Sequence, residues 1–474
     1  MQNAATTPIS ASYGQGRLTR GLLLIFAIAF LLRLFMVLHF AKPPVSDMWW
    51  NDQVGQNLAA GHGFTASPRP PYVPGVYRSP GYPAFLAVVY KVAGHSFRAV
   101  YITQAIIDAF TAVLIALVAL LVSGTRAMFL TGFAYALYPY PAVFCGELTQ
   151  DILLVFSVTL ALLLAIRARD GGRVLQFLTL GIAVGAAAIV KPFLVLFLLI
   201  CAVVLASATY NRKRRVVGIA LMTTAMAVTI SPWMIRNYVI FHAFVPLSVG
   251  STGENLFLLL DEIKGGEQAT IGPFERHPEF WPEKYRSADV NQYLRDFPDG
   301  ERLIAIEHER TRLALAELRP QWRGYLYLVI RHIPRNWLTL HAVGRPGWML
   351  AFAEALSFLV LFLGIISMVI LRRHWKPLLP LYATVIGITL FYAPYTPEAR
   401  YTLPARPEMM ALIAIAASSW TSGWRGFKLR NSFWKLRKWR HEFSSSRPPI
   451  NPSQKKGRLA PSFFCLPPRN YNAA

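Results

Sequence analysis

Residues 21–41 read GLLLIFAIAFLLRLFMVLHFA, an apolar run in which Arg33 and His39 are the only ionisable side chains. About 20 consecutive apolar residues span the hydrocarbon core of a bilayer as a helix. The whole chain shares this character, because 54% of its 474 residues are hydrophobic and 15% are charged, against roughly 25% charged in soluble domains. This composition excludes a soluble enzyme, a secreted disulfide scaffold and a disordered protein, and it predicts an all-α polytopic membrane protein.

Further apolar segments follow, so we expect a bundle of about ten transmembrane helices. No small-residue cleavage site follows the first run, which we therefore expect to be retained as a signal anchor. Arg17 and Arg20 before the first span predict a cytoplasmic N-terminus, and the loops that are then cytoplasmic are all basic. An even number of spans returns the C-terminus to the cytoplasm. The predicted spans are 21–41, 98–123, 127–144, 150–167, 174–190, 192–208, 216–234, 348–371, 377–394 and 403–422, and the basic loops contain Arg126, 167–169, 212–215 and 372–376.

The formal net charge of +24 comes from these loops and from the C-terminal region. The basic, aromatic stretch 434–440 predicts contact with anionic membrane lipids and no nucleic acid partner. We expect a charged helix at 291–318 and an amphipathic segment at 322–341 that lies along the interface. The predicted regions are a cytoplasmic N-tail 1–20, a transmembrane core 21–234 with a first outer loop 42–97, a large periplasmic loop 235–346, C-terminal transmembrane helices 347–422 and a basic, disordered cytoplasmic tail 423–474.

Cofactor motifs are missing from the sequence. Cys145, Cys201 and Cys465 have neither metal-ligand spacing nor the pattern of a disulfide framework. No Walker loop and no GxGxxG before a helix occurs, so ATP and dinucleotides have no sequence support. We predict no cofactor and no metal. The Ala- and Leu-rich spans are typical of a bacterial inner membrane, with the outer loops facing the periplasm.

Asp47 lies just beyond the outer end of the first span, in the sequence SDMWWNDQVG at 46–55. If a helix begins there, Asp47, Asn51 and Gly55 share one face, and the two tryptophans anchor the helix in the headgroup layer. A carboxylate at the interface can act as a general base when its neighbours hold it and partly desolvate it. A solvated aspartate at the helix N-cap is the alternative interpretation.

The loop between the third and fourth spans has the sequence ELTQD at 147–151. Thr149 can cap the following helix, with Asp151 favoured in its first turn by the helix dipole. Asp151 can equally be a second carboxylate that faces Asp47 across an outer cavity. Composition does not decide between these interpretations.

Four cations lie at outer ends of spans, where the positive-inside rule predicts few. Snorkelling explains a single one, but several on one face favour an anionic ligand such as a lipid phosphate. Arg33, inside the first span, is either functional or paired with a carbonyl or an acid within the bundle. The four outer cations are Arg78, Lys191, Arg236 and Arg400.

Five motifs resemble those of membrane glycosyltransferases with the GT-C fold, in the same order and on the same faces. Asn51 and Met48 differ from the usual Tyr and Glu of the first motif. The resemblance covers about residues 20–420 and is to bacterial relatives of dolichyl-phosphate-mannose–protein mannosyltransferases, a group that includes lipid A aminoarabinose transferases and lipopolysaccharide galacturonosyltransferases. The motifs are Asp47 with NLAAGHGF at 57–64, RSPGYP at 78–83, LTQDILL at 148–154, PWMIRNY at 232–238 with FVPLS at 244–248, and EARYTLP at 398–404.

The resemblance implies transfer of a sugar from a polyprenyl-phosphate donor to a lipid, glycan or protein acceptor of the cell envelope, on the outer face. It makes Asp47 the general base, with inversion at the anomeric carbon, and gives Asp151 a supporting role. It assigns the donor phosphate to Arg78 with Tyr82 of the same motif, and to the cations Lys191, Arg236 and Arg400.

Two other classes of protein are compatible with a polytopic chain. A transporter or lipid flippase needs ionisable residues near mid-membrane and broken spans in related halves. The candidate residues here collect at the outer ends instead. A non-catalytic scaffold is the other alternative, and it is favoured if Asp47 and Asp151 lie far apart.

Overall fold

The computed structural model describes residues 9–41, 43–45, 47–250, 252–263, 299–338, 347–395 and 397–421. All regular elements within these ranges are helices. In chain order they are α1 (Ile9–Phe40), α2 (Asp47–Ala60), α3 (Gly81–Ala93), α4 (Phe97–Val122), α5 (Thr125–Ala136), α6 (Pro139–Phe144), α7 (Asp151–Gly171), α8 (Val174–Val190), a 3₁₀ turn (Pro192–Leu196) leading into α9 (Phe197–Ala206), α10 (Arg212–Phe241), α11 (Thr252–Ile263), α12 (Glu301–Leu318), α13 (Trp322–Leu338), α14 (Gly347–Leu371), α15 (Trp375–Tyr392), and a 3₁₀ turn (Ala399–Ala405) leading into α16 (Arg406–Thr421).

Every predicted span falls on one of these helices or on a consecutive pair of them. The span predicted at 127–144 consists of two helices, because Pro139 begins α6 and the residue before a proline is biased away from helical geometry. Among the described residues, five helical segments are long and apolar enough to cross a membrane, and the count of about ten remains a prediction. The five are Gly16–Phe40, Phe97–Val122, Asp151–Gly171, Arg212–Phe241 and Ala351–Tyr392.

Small residues bring the helices of the bundle close together, as is usual in membranes. Ala105, Ala109 and Ala112 of α4 are completely buried. On α8, a Cβ added at Gly181 would lie 2.2 Å from the carbonyl oxygen of Met222 in α10. The small residues therefore set the spacing between α8 and α10.

Arg33 is paired inside the bundle, as one of the two interpretations predicts. Its Nε donates to Asp108 Oδ2 at 2.8 Å, and its other nitrogens donate to the carbonyl oxygens of Tyr135 and Ala136. The Tyr135 hydroxyl donates to Asp108 Oδ1 at 2.7 Å. This closed network joins α1, α4 and α5, and the partner Asp108 was not among the predicted residues.

The first outer loop contains the helix expected at Asp47, and Asn51 and Gly55 are buried on it. Asn51 Nδ2 donates to the carbonyl oxygen of Leu148 at 3.0 Å, which ties α2 to the loop before α7. The prediction that Trp50 anchors the helix in the headgroup layer is wrong. Trp50 is fully buried and packs against Phe64 and Tyr77.

The large loop carries α11, α12 and α13. The charged helix expected at 291–318 begins at Glu301 within the described residues. The segment predicted at 322–341 is α13, and its last turn is bonded to the membrane bundle. Trp337 Nε1 donates to Thr389 Oγ1 at 3.2 Å. Residues 264–298 and the tail 423–474, including the basic stretch 434–440, lie outside the described residues.

Candidate active site

Asp47 forms an ion pair with Arg78, so the first two motifs meet. The Asp47 side chain is 44% exposed, and that of Arg78 is 24% exposed. The backbone just before Arg78 is held by the chain that follows α10, since the N–H groups of Val249 and Gly250 donate to the carbonyl oxygens of Val76 and Tyr77. The pair is therefore fixed in position, and Asp47 is open on one side.

Gly81 brings this pair close to the end of α8. A Cβ at Gly81 would lie 2.7 Å from the carbonyl oxygen of Ile189, so only glycine allows the start of α3 to approach so closely. Two residues after Ile189 the chain reaches Lys191, the C-cap residue of α8. The glycine of the RSPGYP motif thus places Arg78 and Lys191 on the same side of the bundle.

Lys191 lies beside a pair of stacked aromatic rings. Its Nζ is 5.9 Å from the ring centre of Tyr392 and 5.5 Å from that of Tyr401, and the two rings are stacked 4.5 Å apart. Arg400 is adjacent and forms an ion pair with Glu398. The EARYTLP motif therefore supplies one of the two rings, Tyr401, and a second cation, Arg400.

Asp151 begins α7 and is 2% exposed. Its negative charge acts on both Lys191 and Arg400. The prediction that Asp151 lies in the first turn is confirmed, but the suggested Thr149 cap is not present, because the N-cap residue is Gln150 and no side chain caps the helix. Asp151 is thus a buried carboxylate that shares two cations, Lys191 and Arg400, with Asp47.

The electrostatics of the site follow from this arrangement. Burial opposes ionisation of Asp47, but the positive charges of Arg78, Arg400 and Lys191 outweigh that effect and hold the pKa of Asp47 below its usual range. Burial lowers the pKa of Lys191 to about 8, although the charge of Asp151 partly opposes the change. These five residues form the charged cluster of the site.

Tyr82 belongs to the same RSPGYP motif as Arg78. It is buried, and its hydroxyl donates to Gln104 Oε1 at 2.9 Å. Gln104 Nε2 in turn donates to the carbonyl oxygens of Cys145 and Glu147, both at 2.9 Å. Tyr82 therefore supports the loop that leads into Asp151.

Arg236 is the one predicted cation whose described contacts do not join it to the charged cluster. Its guanidinium donates to the carbonyl oxygen of Gly75 and to Asn237 Oδ1, both at 2.9 Å. Its CZ atom lies 4.7 Å from the ring centre of Trp233. Arg236 holds the first outer loop just before Arg78.

Two acids near the site were not predicted. Asp299 Oδ1 accepts from the N–H groups of Val76 and Gly300, both at 2.8 Å, and burial raises the pKa of Asp299 to about 6. Glu254 is influenced by the charges of Asp47 and Arg78. Both belong to the large loop, which has no motif, so only the three-dimensional structure brings them to the site. Among the described residues, no group of three His, Cys, Asp or Glu side chains could hold a metal ion.

Comparison with known proteins gives one family match and several similar folds. Residues 77–235 match the model of the dolichyl-phosphate-mannose-protein mannosyltransferase family. This segment includes Arg78, Tyr82, Asp151 and Lys191. No curated protein sequence matches the chain.

Among solved structures, the chain is similar to the oligosaccharyltransferase AglB from Archaeoglobus fulgidus, in complex with an inhibitory peptide and a dolichol-phosphate. The identity is 15% and the TM-score is 0.50, over 90% of this chain and 52% of that one. Our chain thus spans about half the length of that relative.

A second similar structure is ArnT from Cupriavidus metallidurans bound to undecaprenyl phosphate. The identity is 16% and the TM-score is 0.41, over 83% of this chain and 77% of that one. From the family match and the likeness to AglB, residues 77–235 correspond to the dolichyl-phosphate-mannose-protein mannosyltransferase family, and the chain has the fold of the GT-C membrane glycosyltransferases.

Proposed function

We propose that this protein transfers a sugar from a polyprenyl-phosphate donor to a lipid, glycan or protein acceptor, on the periplasmic face of a bacterial inner membrane. The charged cluster carries this proposal. Arg78, Lys191 and Arg400 act on the carboxylate of Asp47, and Lys191 and Arg400 are also influenced by Asp151 at the start of the apolar helix α7. Cations placed there favour a lipid-linked phosphate, because charge-assisted hydrogen bonds are strongest to such groups.

An apolar groove between α9 and α15 supports a lipid donor. Its volume is about 410 Å³, and Phe391 at one end precedes Tyr392, whose ring contacts Lys191. A polyprenyl tail in the groove would place its phosphate beside the cations. The groove is lined by Leu199, Ile200, Val203, Trp375, Leu379, Tyr382, Ala383, Ile386, Gly387 and Phe391.

The chemistry follows from these positions. The acceptor hydroxyl attacks the anomeric carbon in line and with inversion, while Asp47 accepts its proton as general base. The bond from the anomeric carbon to the phosphate breaks, and its electrons leave with the polyprenyl phosphate. Arg78, Lys191 and Arg400 stabilise that charge. Asp151 positions Lys191 and Arg400, and Arg236 and Tyr82 support the loops that carry the charged residues.

Binding of undecaprenyl phosphate to the full chain in lipid nanodiscs tests the donor site. We expect Arg78→Met to weaken binding roughly 10- to 100-fold, because a hydrogen bond to a charged group contributes about 1.5–3 kcal/mol. Arg98→Met is the matched control, since Arg98 is an exposed arginine in the first turn of α4. Equal binding by both variants would contradict the donor site.

A further inference from the structure

Asn336, in the last turn of α13, is bonded to the 3₁₀ turn that carries the cation Arg400. The side chain of Asn336 is completely buried. Its Oδ1 accepts from the N–H of Glu398 at 3.2 Å, and its carbonyl oxygen accepts from Thr402 Oγ1 at 3.0 Å. These two partners lie two residues before and two residues after Arg400 in the sequence. Asn336 therefore fixes the turn on both sides of Arg400.

The end of α13 makes a second bond to the same part of the chain. The last carbonyl groups of a helix have no partners within it, and two of them in α13 find partners here. Besides the bond from Thr402, the carbonyl oxygen of Trp337 accepts from Arg406 Nη2 at 3.0 Å. Arg406 is buried at the start of α16. The last turn of α13 and residues 398–406 are thus joined by several hydrogen bonds.

Helix α13 is held in turn by the helices around it. His332 Nε2 lies 3.0 Å from Glu262 Oε2 of α11, and its Nδ1 lies 3.2 Å from the carbonyl oxygen of Ala393, just after α15. Arg335 Nη1 donates to Glu262 Oε1 at 2.6 Å. Helix α13 therefore connects the large loop to the membrane bundle, and Asn336 is a fixed point for the turn.

Arg400 depends on the position of its turn. Its guanidinium forms an ion pair with Glu398, and its CZ atom lies 5.7 Å from the ring centre of Tyr401. Both contacts are made within the segment 398–401, so they fix Arg400 relative to the turn and not relative to Asp47 or Lys191. An arginine binds a phosphate best when its planar donor group is already oriented. The support of the turn from outside therefore matters for the charge at the site.

We propose that Asn336 is a positioning residue for the donor phosphate and that it acts through Arg400. With the turn held by α13, the guanidinium of Arg400 stays at the charged cluster before the donor arrives, so donor binding does not have to order it. This inference rests on the proposed donor site and adds to it a residue of the large loop.

A purely structural role for Asn336 predicts different behaviour. Loss of its amide leaves the N–H of Glu398 without this acceptor, which lowers the melting temperature in either case. If stability were its whole role, the folded variant would bind undecaprenyl phosphate as the wild type does. If Asn336 acts through Arg400, its effect on affinity requires that Arg400 be present. A double-mutant cycle therefore distinguishes the two roles.

The test is the affinity of the full chain in nanodiscs for undecaprenyl phosphate, measured well below the melting temperature of each variant. We expect Arg400→Met to weaken binding roughly 10- to 100-fold. We expect Asn336→Leu to weaken it roughly 3- to 10-fold, because Arg400 remains but is no longer held in place. In the Arg400→Met background, Asn336→Leu should change the affinity by less than about twofold.

Two further variants support the cycle. Gln321→Leu makes a similar change just before α13, where the amide donates to the carbonyl oxygen of Glu317 within the large loop, and we expect it to bind as the wild type does. Thr402→Val removes the other bond to Asn336 with little change of shape. It should weaken binding roughly threefold when Arg400 is present, so it tests the same contact if Asn336→Leu does not fold.

The possible results separate this inference from the proposed function. Wild-type affinity in Asn336→Leu and Thr402→Val, or equal weakening with and without Arg400, would overturn the role of Asn336 alone. Wild-type affinity in Arg400→Met would remove Arg400 from the proposed donor site, and the role of Asn336 with it.

Discussion

At the scale of single residues, the site consists of acidic and basic side chains that lie close to one another. Asp47 and Arg78 are close in sequence and share a recognisable pair of motifs, so their pairing could be anticipated. Asp151, Lys191 and Arg400 were predicted from their motifs and from their positions at outer helix ends. Asp299 could not be predicted, because its bond to the N–H of Val76 joins the large loop to the first outer loop, which no local pattern records.

Lys191 makes donor binding depend on pH. Its pKa of about 8 means that it loses its charge as the pH rises past 8, so we expect the affinity for undecaprenyl phosphate to fall above that pH. Lys191→Met should bind roughly 10- to 100-fold more weakly below pH 8 and lack the decline. Titrations across this range, with the exposed Lys91→Met as control, measure both effects. A decline of the same size in Lys191→Met would rule out Lys191 as its source.

The buried pair of Arg33 and Asp108 is predicted to be structural. Asp108→Asn leaves a buried guanidinium without its counter-charge, which costs about 3–5 kcal/mol in typical buried pairs. Asp170→Asn breaks a partly exposed pair with Arg169 and should cost at most about 1 kcal/mol. The melting temperatures of the two variants, measured by thermal unfolding in detergent, test this difference, and Asp108→Asn should melt at the lower temperature. Equal melting temperatures for the two variants would refute this role.

At the scale of elements, hydropathy located the apolar helices, because apolar length is a direct requirement of the bilayer. It did not show α3, which is shorter than a span and lies in the first outer loop. It also did not show the break between α5 and α6, which depends on the local geometry of Pro139. The helix at Asp47 was predicted from its spacing, but the packing of Trp50 against Phe64 and Tyr77 was not, since aromatic residues suit both interiors and interfaces.

The close packing of α8 and α10 depends on Gly181. Gly181→Ala would place its Cβ against the backbone oxygen of Met222, so we expect a loss of about 1–3 kcal/mol from forced separation of the helices. Gly16→Ala is the matched control, because a Cβ at this position of α1 would meet nothing within 4 Å. Thermal unfolding should give a lower melting temperature for Gly181→Ala than for Gly16→Ala. An unchanged melting temperature for Gly181→Ala would contradict the packing argument.

At the scale of the whole molecule, the predicted topology places the two termini of the membrane bundle in the cytoplasm and the charged cluster in the periplasm. Alkaline phosphatase fusions test the topology, since this enzyme is active only outside the cytoplasm. We expect activity for a fusion after Gly250, in the large loop, and none for one after Arg212, in a basic loop. Activity after both residues would exclude ten spans in the predicted order.

The central claim is that Asp47 and the cations around it transfer a sugar. Mass spectrometry of envelope lipids and glycans tests it most directly, in a deletion strain and in strains complemented with wild type, Asp47→Asn or the control Asp170→Asn. We predict that one sugar-sized mass is lost from the deletion and Asp47→Asn strains and restored by the wild type and Asp170→Asn. Restoration by Asp47→Asn would contradict the assignment of Asp47, and an unchanged profile in the deletion strain would contradict sugar transfer to the envelope.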